Sequence, residues 1–133
     1  ELQKRQEIAA NYNTKLRALE NEGLLVLPRV ESYNTSSWAQ YTLRVASRDD
    51  VQTAMKTRGI PTAIHYPVPL FEQPAYRNNN NKCPESLQAT REVMSLPIHP
   101  YLRLKEQKEI VVALTESLSD KEEYINQRNI VGK

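Results

Sequence analysis

The sequence predicts an α+β fold, a small sheet with helices packed on one face. Three observations carry that expectation. Residues 1–22 and 105–119 repeat apolar residues every three or four positions, the period of a helix with one buried side. Trp38–Val45 instead alternates, Ala39, Tyr41, Leu43 and Val45 against Trp38, Gln40, Thr42 and Arg44, the period of a half-buried strand. No internal repeat or linker divides the 133 residues, so they read as one domain able to bury its own core.

The first helix sets Arg5, Ile8, Ala9, Tyr12, Leu16 and Leu19 on one face, and Gly23 is placed to close it at the C′ position. Its stripe either meets a neighbouring domain or partner or covers the chain's own sheet. Leu24–Leu27 is a short apolar run stopped by Pro28, and residues 30–37 offer turn chemistry. After the Trp38–Val45 strand, Ser47 is an N-cap candidate, with Asp49 and Asp50 in the first turn complementing the helix dipole. Val51, Ala54 and Met55 form the inner face of that helix, and Gly59 ends it. Ile60, Thr62 and Ile64 then alternate as a second strand, which makes Trp38–Tyr66 a direct or split βαβ unit. Leu70–Tyr76 reads as irregular or a single helical turn, and Asn78–Asn81 as a solvated loop. Pro84 and Glu85 start a helix with Leu87, Arg91 and Met94 on one side. Ser95–His99 reads as a strand that Pro97 confines to a sheet edge. In the last helix Ile110, Val111, Leu114 and Leu118 face inward, and residues 120–133 form a charged tail expected to fray.

Composition excludes several classes. The net charge is only +2, with no basic cluster, which argues against a nucleic-acid partner. No apolar run approaches the roughly 20 residues of a membrane span, so no membrane partner is expected. The single cysteine, Cys83, leaves no intramolecular disulfide and suits a reducing compartment, the cytoplasm. The chain opens at Glu1 inside a helical pattern without a leader, as expected of a segment from a longer protein.

The chemistry concentrates in Gly59–Tyr76. A strand reaches His65 and Tyr66 and is then forced out of a sheet by Pro67 and Pro69, which fix φ and lack an N–H. A rigid scaffold commonly presents side chains to a ligand at such a point. The competing reading satisfies both side chains within the chain's own backbone. Elsewhere the signals are weak. His65 and His99 lack the companions of a metal site, and Cys83 has no base placed to activate it. Gly23, Gly59 and Gly132 stand too far apart for a phosphate loop, and Asp49-Asp50 and Glu122-Glu123 read as solvated helix faces. No complete catalytic apparatus is present, so no catalytic residue is assigned.

Several motifs together carry a resemblance: Trp38-Ala39-Gln40-Tyr41-Thr42-Leu43-Arg44-Val45, Arg48-Asp49, Gly59 through Tyr76, and Ser95-Leu96-Pro97-Ile98-His99-Pro100. In this order they resemble the C-terminal part of the DegT/DnrJ/EryC1/StrS sugar aminotransferases, over about residues 1–119. The resemblance implies the small domain of a fold-type I pyridoxal-phosphate enzyme, with 1–22 as the helix joining it to the large domain. It implies that the lysine holding pyridoxal 5'-phosphate lies in that large domain, so that this segment alone binds no cofactor and is inactive. It further implies His65 and Tyr66 as substrate-binding residues, a nucleotide sugar and glutamate as reactants, and a homodimer at full length. The residues around Pro67-Val68-Pro69-Leu70 look most like members that aminate a 3-keto nucleotide sugar for surface polysaccharides. A free-standing small-ligand-binding module or a dimerisation module without catalysis is the alternative.

Overall fold

The computed structural model describes residues 1–76 and 83–131, with 120–131 as backbone alone. The expected loop Asn78–Asn81 lies outside them. In order come α1 (Leu2–Asn21), β1 (Leu25–Val26), β2 (Tyr41–Val45), α2 (Arg48–Thr57), 3₁₀ turns at Leu70–Glu72 and Pro74–Tyr76, α3 (Pro84–Glu92), β3 (Val93–Leu96) and α4 (Leu104–Val131).

The apolar stripe of α1 covers the chain's own sheet: Ile8, Ala9, Tyr12, Leu16 and Leu19 are all buried. Gly23, at φ +76°, ends the helix as its sequence position predicts. The Gly23 N–H donates to the Glu20 carbonyl and the Leu24 N–H to the Leu19 carbonyl, the paired bonds of a Schellman motif. At the centre the rings of Tyr12 and Tyr41 lie 5.0 Å apart. Their hydroxyls donate to the Pro97 carbonyl at 2.8 Å and to Asn13 Oδ1 at 2.7 Å. Burial pushes both phenols above the ordinary tyrosine range, so they remain neutral donors. The Arg5 guanidinium adds bonds to the Trp38 and Ile98 carbonyls, tying α1 to the entrance of β2 and the exit of β3.

The sheet is three-stranded, antiparallel and ordered β1-β2-β3. The pairs Leu25↔Val45, Tyr41↔Leu96 and Leu43↔Met94 place their apolar side chains on the face covered by α1, α2 and α4. Thr42, Arg44, Val93 and Ser95 occupy the other face by alternation. Two strand expectations need correction. β2 starts at Tyr41, because Trp38 sits at φ 49° and breaks the alternation that its side chain seemed to continue. β3 covers Val93–Leu96 rather than Ser95–His99, and Met94 belongs to it and not to the preceding helix. Pro97 therefore follows the strand rather than lying inside it, while β3 does take the outer place in the β1-β2-β3 order.

Residues 60–66 form no second strand. They contribute one antiparallel bridge, Ala63↔Ser95, on the side of β3 away from β2. Since both β2 and this segment run antiparallel to β3, they run parallel to each other with β3 between them. The split form of the βαβ expectation thus survives as a single bridge. In α2, Ser47 occupies the N-cap position in a left-handed conformation and makes no side-chain cap bond. Val51 and Met55 are buried and Ala54 is partly so. α4 packs on both α1 and α2 through Ile110, Ala113, Leu114 and Leu118. It continues past Ser119 to Val131, since the Lys, Glu and Gln residues of that stretch are good helix formers.

Two outcomes are expected. Glu92 accepts bonds from Gln88 and Arg44, in that order of effect, and its carboxyl is held below the usual range. A depressed carboxylate adds stability above its unfolded pKa, about 4.3, and loses it as pH falls through the folded value. Glu92→Gln should therefore melt below the parent near neutral pH, and the gap should close on acidification. Second, the Ala63 amide, bonded to the Ser95 carbonyl, should exchange with deuterium more slowly than the Tyr66 amide. Gln52→Ala, which removes a bond to the Thr62 hydroxyl, should speed exchange at Ala63 but not in β2.

Candidate functional site

The segment 60–69 is held at both ends and free in the middle. Ile60 packs against the core, and Gln52 Nε2 donates to Thr62 Oγ1 at 3.2 Å. The Ala63 N–H donates to the Ser95 carbonyl at 3.1 Å, and the Ser95 N–H returns to the Ala63 carbonyl at 2.8 Å. Beyond the exposed residues 65–68, Pro69 is buried again. With both main-chain groups of Ser95 used by Ala63, Ser95 and Thr42 face each other at a non-hydrogen-bonded position of the β2–β3 ladder. Side chains approach closely there, and their hydroxyls lie 2.8 Å apart.

His65 and Tyr66 stand where this anchored segment projects, joined by a cis peptide bond. Both are exposed, Tyr66 at 70 %. Their rings meet edge to face with centroids 5.5 Å apart. Neither side chain hydrogen-bonds another described residue, so the reading in which their own backbone satisfies them finds no support among the described residues. An imidazole and a phenol left open side by side can bond the hydroxyls or phosphate oxygens of a ligand. His99 is not part of this site. The antiparallel bridge sends His65 towards the Val93 end of β3, while His99 leaves beyond Leu96 and lies near Glu106 of α4. There Glu106 accepts bonds from the Arg103 side chain and N–H, which hold its carboxyl at about 2.

A groove of about 410 Å³ opens beside Tyr66, between the 66–76 segment and α3. Val68, Leu70 and Tyr76, all well exposed, form one wall with Tyr66; Ser86 and Thr90 of α3 lie on the other. Buried Arg48 fixes that second wall. It bonds the Thr90 and Val93 carbonyls at 2.9 Å each and Asp49 at 2.7 Å, pinning the junction of α3 and β3. Sequence reasoning singled out Tyr76 and Arg48-Asp49 within motifs but did not join them into a site. Their partners on α3 lie too far along the chain for spacing to reveal. Cys83, the N-cap residue of α3, is an exposed free thiol at the groove.

Among the described residues no cluster of His, Cys, Asp or Glu could hold a metal ion, and no helix is long and apolar enough to cross a membrane. Lys4, Lys15, Lys56, Lys105 and Lys108 are all exposed on helices. They do not offer the desolvated amine that a Schiff base needs. The described lysines thus do not fit a pyridoxal-phosphate anchor.

Comparison with known proteins completes the picture. The chain is 43% identical over 115 residues to UDP-2-acetamido-2-deoxy-3-oxo-D-glucuronate aminotransferase of Pseudomonas aeruginosa, covering 86% of this chain and 31% of that protein. It is 32% identical over 116 residues to dTDP-3-amino-3,4,6-trideoxy-alpha-D-glucose transaminase of Streptomyces venezuelae, covering 85% and 30%. Its fold matches the crystal structure of a DegT DnrJ EryC1 StrS aminotransferase from Brucella abortus with a TM-score of 0.78 at 31% identity, over 87% of this chain and 31% of that one. The chain therefore spans about a third of the length of these relatives. The pattern of the DegT/DnrJ/EryC1/StrS aminotransferase family matches residues 1–115, and the chain belongs to that family.

Proposed function

We propose that this chain is the C-terminal, substrate-facing domain of a nucleotide-sugar aminotransferase. One observation carries the reading. The family match runs through the anchored segment, where the chain leaves His65 and Tyr66 exposed, adjacent and without a hydrogen-bond partner among the described residues. The family is pyridoxal-phosphate-dependent. The cofactor supplies an electron sink for moving an amino group. Because the described lysines do not fit its anchor, the reading assigns the cofactor to the remaining two-thirds of the protein, and α1 to the connection between the two parts. This segment alone is then inactive.

Within that division of labour, His65 and Tyr66 bind and orient the sugar nucleotide. The anchors at Ala63 and Pro69 limit the chain entropy lost when the ligand is held. The 43% identity to the Pseudomonas aeruginosa 3-oxo-glucuronate enzyme supports a 3-keto nucleotide sugar as substrate, and use of the product in surface polysaccharide is part of the same proposal. Glutamate as amino donor, a homodimer as the working assembly and the cytoplasm as the site of reaction belong to the same proposal.

The test uses the full-length enzyme with a 3-keto uridine-diphosphate sugar and glutamate. Tyr66→Phe should weaken kcat/KM by the worth of one positioned hydrogen bond, about 0.5–1.5 kcal/mol or up to roughly tenfold. His65→Ala should cost at least as much, and the melting temperature should barely move in either variant. If both variants unfold early while activity per folded molecule stays normal, the two residues are structural and the reading fails.

A further inference from the structure

Resting on the nucleotide-sugar reading, we propose that Gln52 of α2 is a positioning residue for the sugar half of the reaction, acting through Thr62 on His65 and Tyr66. The bond from Gln52 Nε2 to Thr62 Oγ1, 3.2 Å long, is the one side-chain hydrogen bond that residues 60–66 make among the described residues. The other hydrogen bonds of this segment are main-chain ones, from the Ile60 N–H to the Met55 carbonyl and between Ala63 and Ser95. The packing of Ile60 against the core completes its attachment.

Placement gives this bond its leverage. The bridge between Ala63 and Ser95 fixes where the segment meets β3, yet a segment held at one pair can still turn about that pair. Opposed residues share a face, so Ala63 lies with Ser95 on the outer face of the sheet. Thr62, its neighbour, turns to the side that α2 covers, where Gln52 meets it. Gln52 thus holds the segment from a second direction, beside the bridge, and opposes the turning that a lone bridge leaves open. Its support is firm, because Val51 and Met55 of the same helix are buried in the core. Beyond Ala63 the chain makes no hydrogen bond to another described residue before Pro67, so the direction in which His65 and Tyr66 project is set at Thr62 and Ala63. The fold itself depends little on the same bond. Gln52 and Thr62 are both only half-buried, and water can replace a partner that is removed. Without the bond, only a fraction of the molecules presents His65 and Tyr66 in the binding position. The apparent affinity for the sugar nucleotide falls by that fraction. Once bound, the ligand selects the held position, so the loss lies in binding rather than in turnover.

The experiment follows the two half-reactions of the full-length enzyme separately, with glutamate as amino donor and a 3-keto uridine-diphosphate sugar as acceptor. Gln52→Ala should raise KM for the keto-sugar about three- to tenfold, the scale of one neutral hydrogen bond, and leave kcat and the glutamate half-reaction unchanged. KM does not depend on how much of the enzyme is folded, so partial unfolding cannot imitate this result. Thr62→Val should have the same effect, and the double variant should be no worse than either single one, since the two side chains act as a unit. Thr62→Ser keeps the hydroxyl and should retain the parent KM. Equal losses in both half-reactions, losses that multiply in the double variant, or no loss in either single variant overturns the role of Gln52 while the transaminase reading stands. A parent enzyme that fails to aminate any keto-sugar nucleotide overturns the function on which that role rests, and the role with it.

Discussion

The position of the candidate site depends on one residue of β3. Ser95 uses its main-chain N–H and carbonyl on Ala63 and its hydroxyl on Thr42, so a single buried residue joins the projecting segment to the centre of the sheet. Any displacement of β3 would be passed to His65 and Tyr66 through two short hydrogen bonds. β3 is itself fixed from both directions. Arg48 clamps its beginning through the Val93 carbonyl, and Tyr12 bonds the Pro97 carbonyl just past its end. The candidate site is therefore built on a strand held at both ends, although its own side chains are exposed.

The helices were legible because their signals are local and redundant. α1 shows five buried positions at helical spacing and a glycine whose positive φ closes it, and each clue points to the same boundaries. Strand limits were less legible because alternation ignores backbone conformation. Trp38 fits the pattern of β2 in sequence yet sits in the left-handed region. Pro97 looked like an edge-strand residue because its missing N–H is informative, but its carbonyl matters more, as the acceptor for a buried tyrosine. The returning segment after α2 has strand-like residues and still forms one bridge only, since Pro67 and Pro69 take it away from β3.

His65 and Tyr66 could be singled out from their neighbours alone, since two polar aromatic side chains followed by two spaced prolines mark a strand turning into a stiff loop. The groove beside them could not. Its walls come from the 66–76 segment and from α3, and α3 is held in place by the bonding of Arg48 to carbonyls more than forty positions away. Such a contact depends on tertiary packing and leaves no periodic trace in sequence.

The sheet's borders have a bearing on solubility. A sheet this small could offer long rows of unpaired amides to other chains, the usual route to strand-to-strand aggregation. Here the outer border is β1, which is only Leu25–Val26 and is soon followed by Pro28. The opposite border is the single bridge at Ala63, after which Pro67 and Pro69 remove two donors. Neither border presents the length or regularity needed to template another strand. The prolines that stiffen the exposed segment after Ala63 thus also act as gatekeepers against intermolecular β-pairing.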